Sequence, residues 1–484
     1  MDLSSMISID DLIKKQDTMK RIFFYRICGT GMGAAACLLK EKGLAVEGGD
    51  SVYAPPMSDY LKRLKIPCHL LSEVSEEDLK KFDLIVVGNV VPRDGIDAKR
   101  IEKSGVPFVS FPQALGALVL RNINVVGIAG THGKTTTTYL ATQLFEKLGE
   151  NPGYLVGGVI EGRNSAALGN GKYFFIESDE YDSAYFDKIS KFRNYFINDL
   201  ILTSLEYDHA DIFANVEAIK DQFRAAMPNI DGKFIFNTDF SDLRNLSEEF
   251  FKNGPYSERE VFFYGDNYKP GPRIMLATSS GTTFKINFKE QEYLFKTNIT
   301  GKQNILNLSA TIIYALTEGF TYQAINHAIA DLKMVKRRQE YKGQYKGAIF
   351  IDDFAHHPSA ISITLDAIKT THPEKNLIAI FEPASATARS AIFEKEYLNV
   401  FGQSILAIIL RPERETTAIN SNTLDVFKLA QGLSAKGVRA VGVESLEVLI
   451  EMIENNASDK TIFAFLSNST MRGFWQSEFA SKIK

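Results

Sequence analysis

Short apolar runs that suit buried strands alternate with amphipathic stretches along the chain. This alternating series begins again twice, and we call the three successive series the first, second and third pass. In the first pass the pattern predicts strands at residues 21–27, 83–88 and 106–110 and a helix at 34–42. Strands that alternate with helices predict a parallel, doubly wound sheet, whose ligands bind beyond the carboxyl ends of the strands.

The second pass begins near residue 122 and the third near residue 337. In the second pass the apolar period changes to two between residues 273 and 299, which predicts an antiparallel hairpin or a small added sheet. The other predicted elements of the second pass are a strand from residue 125, strands at 173–176, 198–204 and 233–237, and helices at 135–149, 302–317 and 322–329. The third pass predicts strands at 348–351, 377–381, 405–410, 438–443 and 461–466.

These patterns predict an α/β fold with three consecutive domains. We expect a polar leader over residues 1–20, then domains over 21–121, 122–336 and 337–484, with 334–338 as a connector. A chain of 484 residues is longer than one hydrophobic core usually serves, which agrees with several domains.

The composition narrows the class of protein. Hydrophobic residues make up 45% and charged residues 24% of the chain, as in soluble globular proteins. The net charge of −4 and the scattered Lys and Arg side chains argue against nucleic acid as a partner. No apolar run approaches about 18 residues, so no membrane span is predicted. The three cysteines have neither disulfide nor metal-ligand spacing, which fits a reducing, cytoplasmic location.

One stretch of the second pass carries nucleotide chemistry. A strand, a glycine-rich turn and a helix follow one another, and backbone N–H groups at a helix N-terminus bind phosphate. Lys134 is then a point charge for the outer phosphates, and Thr135 a hydroxyl ligand for Mg²⁺. We therefore predict that a nucleoside triphosphate binds at the turn made of Gly130, Thr131, His132, Gly133, Lys134, Thr135 and Thr136.

This turn is a variant of the generic phosphate-loop pattern, because Ile128 stands where that pattern has glycine. The alternative is an ordinary strand–turn–helix connection. Such a connection explains the glycines, but it does not explain Gly-Lys-Thr-Thr at the start of a helix.

Carboxylates at neighbouring strand ends are the expected metal partners of the turn, because Mg²⁺ takes hard oxygen ligands. The apolar run 173–176 stops where Glu177 begins an acidic segment. The next strand leads to His209, which lies between Asp208 and Asp211 and could hold a second cation or orient a water. A solvated acidic turn and a structural histidine are the alternatives.

A second glycine-rich turn, Gly29-Thr30-Gly31-Met32-Gly33, follows the first predicted strand. Its third glycine comes one position early for the dinucleotide fingerprint, yet the turn fits an anion site at a helix N-terminus, with Asp50 about 20 residues further on. A turn with only a packing role is the alternative. Asn89 and Gln113 each follow a predicted strand, where they could contact a ligand or cap a turn.

The third pass has a polar cluster of its own, Asp352-Asp353-Phe354-Ala355-His356-His357-Pro358, directly after a predicted strand. Two acids and two imidazoles before a proline that can begin a helix predict a site facing an interdomain cleft. Arg337 and Arg338 precede this strand and could reach phosphate oxygens, or they could form a solvated basic linker.

Together these elements resemble the Mur ligase family, the ATP-dependent amide-bond ligases of peptidoglycan assembly. The resemblance covers nearly the whole chain after about residue 20. It implies a Rossmann-like UDP-substrate domain, a central P-loop ATPase domain with a parallel and a small antiparallel sheet, and a Rossmann-like C-terminal domain. Its carriers are Gly130-Thr131-His132-Gly133-Lys134-Thr135-Thr136, Glu177-Ser178-Asp179-Glu180, Asp208-His209, Asn304-Ile305-Leu306-Asn307, Arg338 and the segment 352–358.

The resemblance also implies ATP and Mg²⁺ as cofactors and Lys134, Glu177 and His209 as catalytic residues. Lys134 would hold the β and γ phosphates. Thr135 and Glu177 would bind one Mg²⁺, and Glu177 and His209 a second. The nucleotide would further contact Asn304, Arg338, Asp353 and His356. The UDP-sugar site would consist of Gly29, Thr30, Gly31, Met32, Gly33, Asp50 and Asn89.

Within the family the chain looks most similar to members that join UDP-N-acetylmuramate to the tripeptide L-alanyl-γ-D-glutamyl-meso-diaminopimelate in peptidoglycan recycling. Segments 27–33, 55–58, 88–89 and 353–357 favour these members over those that add free L-alanine. The resemblance implies an acyl-phosphate intermediate. We expect a cytoplasmic monomer or weak homodimer that binds neither nucleic acid nor membrane.

Several positions depart from the family pattern. Gln303 replaces a common histidine, and Ala384 and Ala386 stand where the tripeptide ligases carry Arg and Asn; residues 467–472 also replace a glycine-rich turn. Without the guanidinium of that Arg, the third domain lacks a group that could bind a carboxylate of the acceptor, and Arg472 or Arg389 could compensate. The alternatives are an L-alanine ligase of the same family and, from a different class, a nucleotide-binding regulatory protein without ligation.

Overall fold

The computed structural model describes residues 2–252, 254, 256–267, 270–278, 280–419 and 421–484. Within these residues the strands form four sheets, of five, seven, three and six strands. Helices follow most strands of the three larger sheets, which confirms the predicted α/β fold.

The first unit is a parallel five-stranded sheet with its helices. Its strands are β1 (Arg21–Tyr25), β2 (Ala45–Asp50), β3 (Cys68–Leu70), β4 (Leu84–Val87) and β5 (Phe108–Ser110). Its helices are α1 (Ile9–Lys15), α2 (Thr30–Glu41), α3 (Met57–Arg63), α4 (Glu76–Leu79), α5 (Ile96–Ser104) and α6 (Phe111–Leu115). The strand order is β3-β2-β1-β4-β5, so the sheet has its topological switch point beside β1, where ligand crevices form.

The leader packs on this sheet although its sequence is polar. Helix α1 begins after Ser8, whose hydroxyl accepts a hydrogen bond from the backbone N–H of Asp11 (3.1 Å). Leu12 is fully buried in the first core, and Met6 forms a parallel bridge with Phe108 of β5. Residues 2–20 therefore contribute to the packing of the first unit.

The first glycine-rich segment is mostly helical, so the predicted helix start at residue 34 is wrong. Helix α2 begins at Thr30, with Gly29 as its N-cap. A β-carbon on Gly33 would meet Met57 and the backbone oxygen of Ile27. Glycine costs helix stability, but here its missing side chain allows close packing of the first turn of α2.

The second unit is built on the seven-stranded sheet. Its strands are β6 (Asn124–Ala129), β7 (Gly153–Leu155), β8 (Ala166–Ala167), β9 (Tyr173–Ser178), β10 (Asp199–Leu202), β11 (Phe234–Asn237) and β12 (Val261–Tyr264). Its first helices are α7 (Lys134–Lys147), α8 (Val216–Ala226) and α9 (Ser241–Ser247). The order is β12-β11-β10-β6-β9-β7-β8, and only β8 runs antiparallel to its neighbour.

Strand β6 lies between β9 and β10, so the carboxyl ends of these three strands share one edge of the sheet. Ala129, the last residue of β6, pairs with Ser178 on one side and Leu202 on the other. Strand β9 continues through Glu177 to Ser178, past its predicted end, because its pairing with β6 extends over these residues.

The change of period to two correctly predicts the small antiparallel sheet. It consists of β13 (Arg273–Thr278), β14 (Gly281–Phe288) and β15 (Gln291–Thr297). Alternate side chains of β14 point inward, and Phe284 and Ile286 are fully buried in a core shared with α10 (Lys302–Thr317). Helix α11 (Tyr322–Ala328) follows α10.

The third unit is a six-stranded sheet. Its strands are β16 (Glu340–Tyr345), β17 (Ala348–Asp353), β18 (Asn376–Phe381), β19 (Leu406–Leu410), β20 (Ala440–Val443) and β21 (Thr461–Leu466). Its helices are α12 (Pro358–Thr371), α13 (Glu394–Tyr397), α14 (Val426–Ala435) and α15 (Leu446–Asn456). The order is β16-β17-β21-β18-β19-β20, and only β16 is antiparallel to its neighbour.

Two features of the third sheet were not predicted from the sequence pattern. The edge strand β16 is polar and partly exposed, so it has no apolar run that could predict it. Strand β17 ends at Asp353 and not at Ile351, because Asp352 and Asp353 both pair with β21. Within the described residues, no helix is long and apolar enough to cross a membrane.

Phe145 of α7 fills the centre of the second core. Its side chain is fully buried, and its ring centroid lies 4.8 to 5.6 Å from the centroids of Tyr173, Phe175, Tyr314 and Phe320. This aromatic cluster joins α7 to β9 and α10, and thereby supports the loop that precedes α7.

Replacing Phe145 with alanine should lower the free energy of unfolding by about 3–5 kcal/mol, because the change removes these ring contacts and leaves a cavity. Chemical denaturation monitored by circular dichroism measures the loss. Met275→Ala is the control: this side chain is 52% exposed on β13, and its loss should change stability by about 0.5 kcal/mol or less. Equal effects of the two substitutions would contradict the assignment of Phe145 to the core.

Candidate active site

The loop between β6 and α7 has the geometry of an anion-binding turn. Gly130 (φ 132°) and Gly133 (φ 84°) adopt backbone conformations that L side chains rarely reach. A β-carbon on Gly133 would also meet the side-chain amide of Asn307. Because α7 begins at Lys134, the N–H groups of its first turn have no helical partners and are available to an anion.

Lys134 is held by two carboxylates from the segment after β9. Its Nζ lies 3.0 Å from Glu180 Oε2 and 3.7 Å from Asp179 Oδ1, and its side chain is 11% exposed. Burial opposes the charge, but Glu180 and Asp179 outweigh it and raise the pKa of Lys134 above its usual range. Lys134 is therefore a permanent ammonium beside the loop.

Thr135 and Glu177 meet directly below the loop. The Thr135 hydroxyl donates to Glu177 Oε1 (3.1 Å), and the backbone N–H of Gly157 donates to Glu177 Oε2 (2.8 Å). A hydroxyl and a carboxylate are hard oxygen donors, so this pair fits a magnesium ion.

His209 lies on the segment after β10, with a left-handed backbone (φ 55°) that is uncommon for a residue other than glycine. Its Nε2 is 3.5 Å from Glu180 Oε1 and 3.8 Å from Asp179 Oδ1. Burial lowers the pKa of His209, but Asp208, Glu180 and Asp179 together raise it to about 9.

Asp179, Glu180 and His209 form a second candidate cation site. One ligand atom from each lies within 4.8 Å of the others. The sequence placed Asp179 and Glu180 only in the acidic segment and paired His209 with Glu177, and that pairing stays a prediction. Lys191 adds a charge that the sequence did not indicate, with its Nζ 2.6 Å from Asp179 Oδ2.

A polar network joins the phosphate loop to the third unit. The Ser359 hydroxyl donates to Glu206 Oε2 (2.7 Å) and lies 3.2 Å from His132 Nε2. His132 Nε2 is 2.9 Å from the same Glu206 oxygen, and His357 Nδ1 is 2.7 Å from the Ser359 hydroxyl. Ser359 lies in the first turn of α12, so the start of this helix contacts the loop through side chains.

This network sets the protonation of its members. Burial opposes ionisation of Glu206, but His132 and His357 outweigh it and lower the pKa of Glu206 to about 2. Burial, assisted by the nearby His132, lowers the pKa of His357 to about 4. Glu206 is thus an anion and His357 a neutral imidazole near neutral pH.

The two arginines before β16 differ in the contacts that their guanidinium groups make. Arg337 Nε donates to Asp352 Oδ2 (3.1 Å), and its Nη2 donates to the backbone oxygen of Ser467 (2.6 Å). Arg338 stacks its guanidinium over the Phe354 ring, 5.0 Å from the centroid, and forms no ion pair among the described residues. Arg338 is therefore the arginine that remains open to a phosphate or base.

A cavity of about 410 Å³ lies between the second and third units. Arg338 and Asn304 both line it, beside apolar side chains from both units. Asn304 Nδ2 donates to the backbone oxygen of Thr300 (2.9 Å), which leaves its amide oxygen to accept. Polar and apolar side chains both line the cavity, and such a lining suits a flat heterocycle with donors and acceptors, such as a nucleobase.

Asp353 and His356 do not line this cavity. Asp353 accepts backbone N–H bonds from Ala355 (2.7 Å) and Gln339 (2.8 Å), so its carboxylate fixes the connection between β17 and α12. His356 Nε2 lies 4.0 Å from Asp208 Oδ2, and burial lowers the pKa of His356. Their contacts to the nucleotide stay predictions.

The predicted UDP-sugar residues meet at the carboxyl edge of the first sheet. The N-terminus of α2, with residues 29–33, follows β1, Asp50 ends β2, and Asn89 follows β4. Asp50 accepts backbone N–H bonds from Cys28 (2.8 Å) and Ser51 (2.7 Å). Because β1 pairs with both β2 and β4, these groups lie along the same edge of the sheet.

Gln113 has the capping role that was one of its two alternatives. Its side chain accepts a hydrogen bond from the backbone N–H of Ser110 (3.0 Å) in a capping box at the start of α6. Glu206 and Ser359 were not predicted as site residues from the sequence. Their only signals were the acid before Asp208 and a hydroxyl in the first turn after Pro358.

Three family models match the chain. The catalytic domain of the Mur ligase family matches residues 21–122, the Mur ligase middle domain 128–315, and the Mur ligase glutamate ligase domain 337–468. Together these matches follow the chain from the first unit to the third.

Relatives and a solved structure agree with these models. The UDP-N-acetylmuramate–L-alanyl-gamma-D-glutamyl-meso-2,6-diaminoheptandioate ligase of Haemophilus influenzae is 33% identical over 469 residues, 96% of this chain and 100% of the relative. The UDP-N-acetylmuramate–L-alanine ligase of Borrelia garinii is 32% identical over 416 residues, 82% of this chain and 86% of the relative. The crystal structure of a murein peptide ligase from Psychrobacter arcticus has a TM-score of 0.70 at 27% identity, covering 96% of this chain and 98% of that one.

Acid should destabilise the fold through His357. Its folded pKa of about 4 lies below the ordinary 6.5, so its contribution to stability is complete above pH 6.5 and falls as the pH drops towards 4. Between pH 7.5 and pH 5 the loss should be about 2 kcal/mol.

Urea denaturation of wild type and His357→Asn at the two pH values measures this term, because asparagine keeps an N-cap residue but does not titrate. Between pH 7.5 and pH 5 the wild type should lose about 2 kcal/mol more stability than His357→Asn, because the opposing titration of His209 is common to both proteins. The control His372→Asn, at the other end of α12, should behave as the wild type. An unchanged pH dependence in His357→Asn would refute the assignment.

Proposed function

Because the chain belongs to the Mur ligase family, whose members are ATP-dependent ligases, we propose that it joins UDP-N-acetylmuramate to the tripeptide L-alanyl-γ-D-glutamyl-meso-diaminopimelate. The names of the Haemophilus influenzae relative and of the Psychrobacter arcticus structure support this pair of substrates. The product is an amide, formed with release of ADP and phosphate.

One observation carries the proposal. Lys134, Thr135, Glu177 and His209 lie together at the common edge of β6, β9 and β10, with Glu180 between Lys134 and His209. A protein that only binds nucleotide needs the phosphate loop and one cation. Two cation positions beside Lys134, with Glu177 and His209 as ligands, suit the stabilisation of charge on a transferring phosphoryl group.

The reaction has two steps. A carboxylate oxygen of the muramoyl group attacks the γ-phosphorus of ATP, the bond from that phosphorus to ADP breaks, and an acyl phosphate forms. The acceptor amine then attacks the acyl carbon, phosphate leaves with the electron pair of the broken C–O bond, and the amine loses a proton. The acyl phosphate replaces a poor leaving group with a good one.

In the first step Lys134 stabilises the negative charge that moves from the γ-phosphoryl group to ADP. Thr135 with Glu177, and His209 with Glu177, would hold Mg²⁺ ions that neutralise further phosphate charge. Gly130, Thr131, His132, Gly133 and Thr136 complete the phosphate loop. Asn304, Arg338, Asp353 and His356 bind the rest of the nucleotide.

The three units divide the substrates among them. We assign UDP binding to residues 21–121 through Gly29, Thr30, Gly31, Met32, Gly33, Asp50 and Asn89, ATP to 122–336 and the acceptor to 337–484. The contacts of Ser359 with Glu206 and His132 support a third unit that closes over the loop and excludes water from the acyl phosphate.

Lys134→Ala should abolish acyl transfer without removing UDP-sugar binding. We expect UDP-N-acetylmuramate-dependent ADP formation to fall at least about 10²- to 10³-fold, because the change removes a charge that stabilises the transferring group. A coupled assay measures ADP, and calorimetry measures UDP-N-acetylmuramate affinity, which should stay within about threefold of wild type. Lys147→Ala, at the other end of α7, is the control and should remain active. Ligation by Lys134→Ala at the wild-type rate would refute the role.

The identity of the acceptor distinguishes a tripeptide ligase from an L-alanine ligase, which is what the Borrelia garinii relative is named. With ATP and UDP-N-acetylmuramate present, we expect ADP release to be at least tenfold faster with the tripeptide than with L-alanine at equal concentration. Faster release with L-alanine would assign the chain to de novo synthesis. If neither the tripeptide nor L-alanine leads to ADP release, the result would favour a regulatory nucleotide-binding protein.

A further inference from the structure

The third unit reaches the catalytic edge through a second contact, made by residues 384–390, which we call the acceptor loop. Thr387 Oγ1 accepts a hydrogen bond from the backbone N–H of Ala210 (3.0 Å). The backbone N–H of Ile419 donates to the oxygen of the same Ala210 (2.7 Å). Ala210 follows His209 directly, so the acceptor loop lies beside the place where the acyl phosphate would form.

Arg389 belongs to this loop and has an unused charge. Its Nε is buried without a hydrogen-bond partner, and its guanidinium forms no ion pair within the described part of the chain. The backbone is fixed, because Arg389 N donates to Ser385 O (2.9 Å) and Arg389 O accepts from Leu424 N (2.7 Å). A buried donor with no partner costs free energy unless a ligand satisfies it.

The surroundings of Arg389 leave its charge poorly neutralised. Burial and the neighbouring Arg414 both lower the pKa of Arg389, and Asp211 only partly opposes them. Asp211 Oδ2 already accepts a hydrogen bond from the Tyr181 hydroxyl (2.5 Å). The position around Arg389 therefore favours an incoming anion.

Two other arginines near the carboxyl edge of the third sheet are engaged, and Arg414, the neighbour of Arg389, is exposed. Arg472 pairs with Glu413 (3.6 Å) and donates to the backbone oxygen of Glu444, and Arg411 pairs with Glu444 (3.5 Å). The alanines at 384 and 386 carry no charge of their own, and the backbone oxygen of Ala386 accepts from Thr416 (2.6 Å). Among these side chains, Arg389 has the charge and the open donor needed to hold an anion.

We propose that Arg389 binds the acceptor carboxylate nearest the attacking amine and thereby sets specificity for acidic acceptors. The inference rests on the proposed function. In the tripeptide this group is the α-carboxylate of D-glutamate, the first free carboxylate after the L-alanyl amine. A guanidinium fork binds such a carboxylate through two parallel hydrogen bonds and so orients the amine beside it.

The experiment separates acceptor binding from the steps before it. Hydroxylamine attacks the acyl phosphate in place of the acceptor, giving a hydroxamate and phosphate, and it has no carboxylate. Arg389→Ala should raise the KM for the tripeptide about 10- to 100-fold, because a charge-assisted hydrogen bond is lost. The rate of hydroxamate formation and the KM for ATP should stay within about twofold of wild type.

An amidated peptide tests the same contact without changing the protein. With L-alanyl-γ-D-isoglutaminyl-diaminopimelate, which lacks the α-carboxylate of D-glutamate, wild type should show the same increase in KM, and Arg389→Ala should show no further increase. Arg411→Ala, which removes an arginine already paired with Glu444, is the matched control. It should keep the wild-type KM for the parent tripeptide.

The outcomes are distinct. The proposal is overturned if the wild-type KM for the amidated peptide equals the KM for the parent tripeptide. It is also overturned if only Arg472→Ala, and not Arg389→Ala, raises the KM for the tripeptide. A raised KM for ATP in Arg389→Ala would assign the guanidinium to a phosphate and also overturns it. If wild type forms hydroxamate but does not use the tripeptide, the proposed substrate fails, and the KM for L-alanine in wild type and Arg389→Ala then tests Arg389 on its own.

Discussion

A partly buried ion cluster holds the edge shared by β6, β9 and β10 together. Lys134 and His209 each approach both Asp179 and Glu180, and Lys191 pairs with Asp179. Isolated charges would be costly at this burial, so each depends on its neighbours, and removing one leaves the others uncompensated. The segments after β6, β9 and β10 are therefore held in register by charge as well as by strand pairing. Nucleotide chemistry in this family member thus starts from a preorganised edge.

The same cluster defines how phosphate must enter. A phosphate that takes Lys134 frees the carboxylates of Asp179 and Glu180, which cannot remain buried beside new negative charge. Divalent cations restore neutrality, because they can bind phosphate oxygens and carboxylates together. ATP and Mg²⁺ are consequently expected to bind as one neutralised unit. With Lys134 bound to phosphate as proposed, this exchange of partners would explain why so many acids surround the loop.

Much of this arrangement could be predicted from the sequence. The strand–glycine–lysine order located the loop, and the apolar run before Glu177 located its acid, because both patterns are local. The start of α2 at Thr30 could not be predicted, since it depends on Met57 packing against Gly33. The contacts of Ser359 and the unpaired guanidinium of Arg389 also could not be predicted from local sequence patterns. They arise where the third unit meets the second, and no periodicity records which side chains face each other across that boundary.

The bond from Ser359 to Glu206 has a thermodynamic consequence. Glu206 also contacts His132 of the phosphate loop, so the position of α12 and the state of that loop share one carboxylate. If ATP favours the docked position of the third unit by some factor, docking must favour ATP by the same factor. An acceptor that binds the docked state better than the undocked state would then tighten nucleotide binding, although the two ligands do not touch. The Ser359 hydroxyl thus links the position of a helix to the affinity of a loop on another unit.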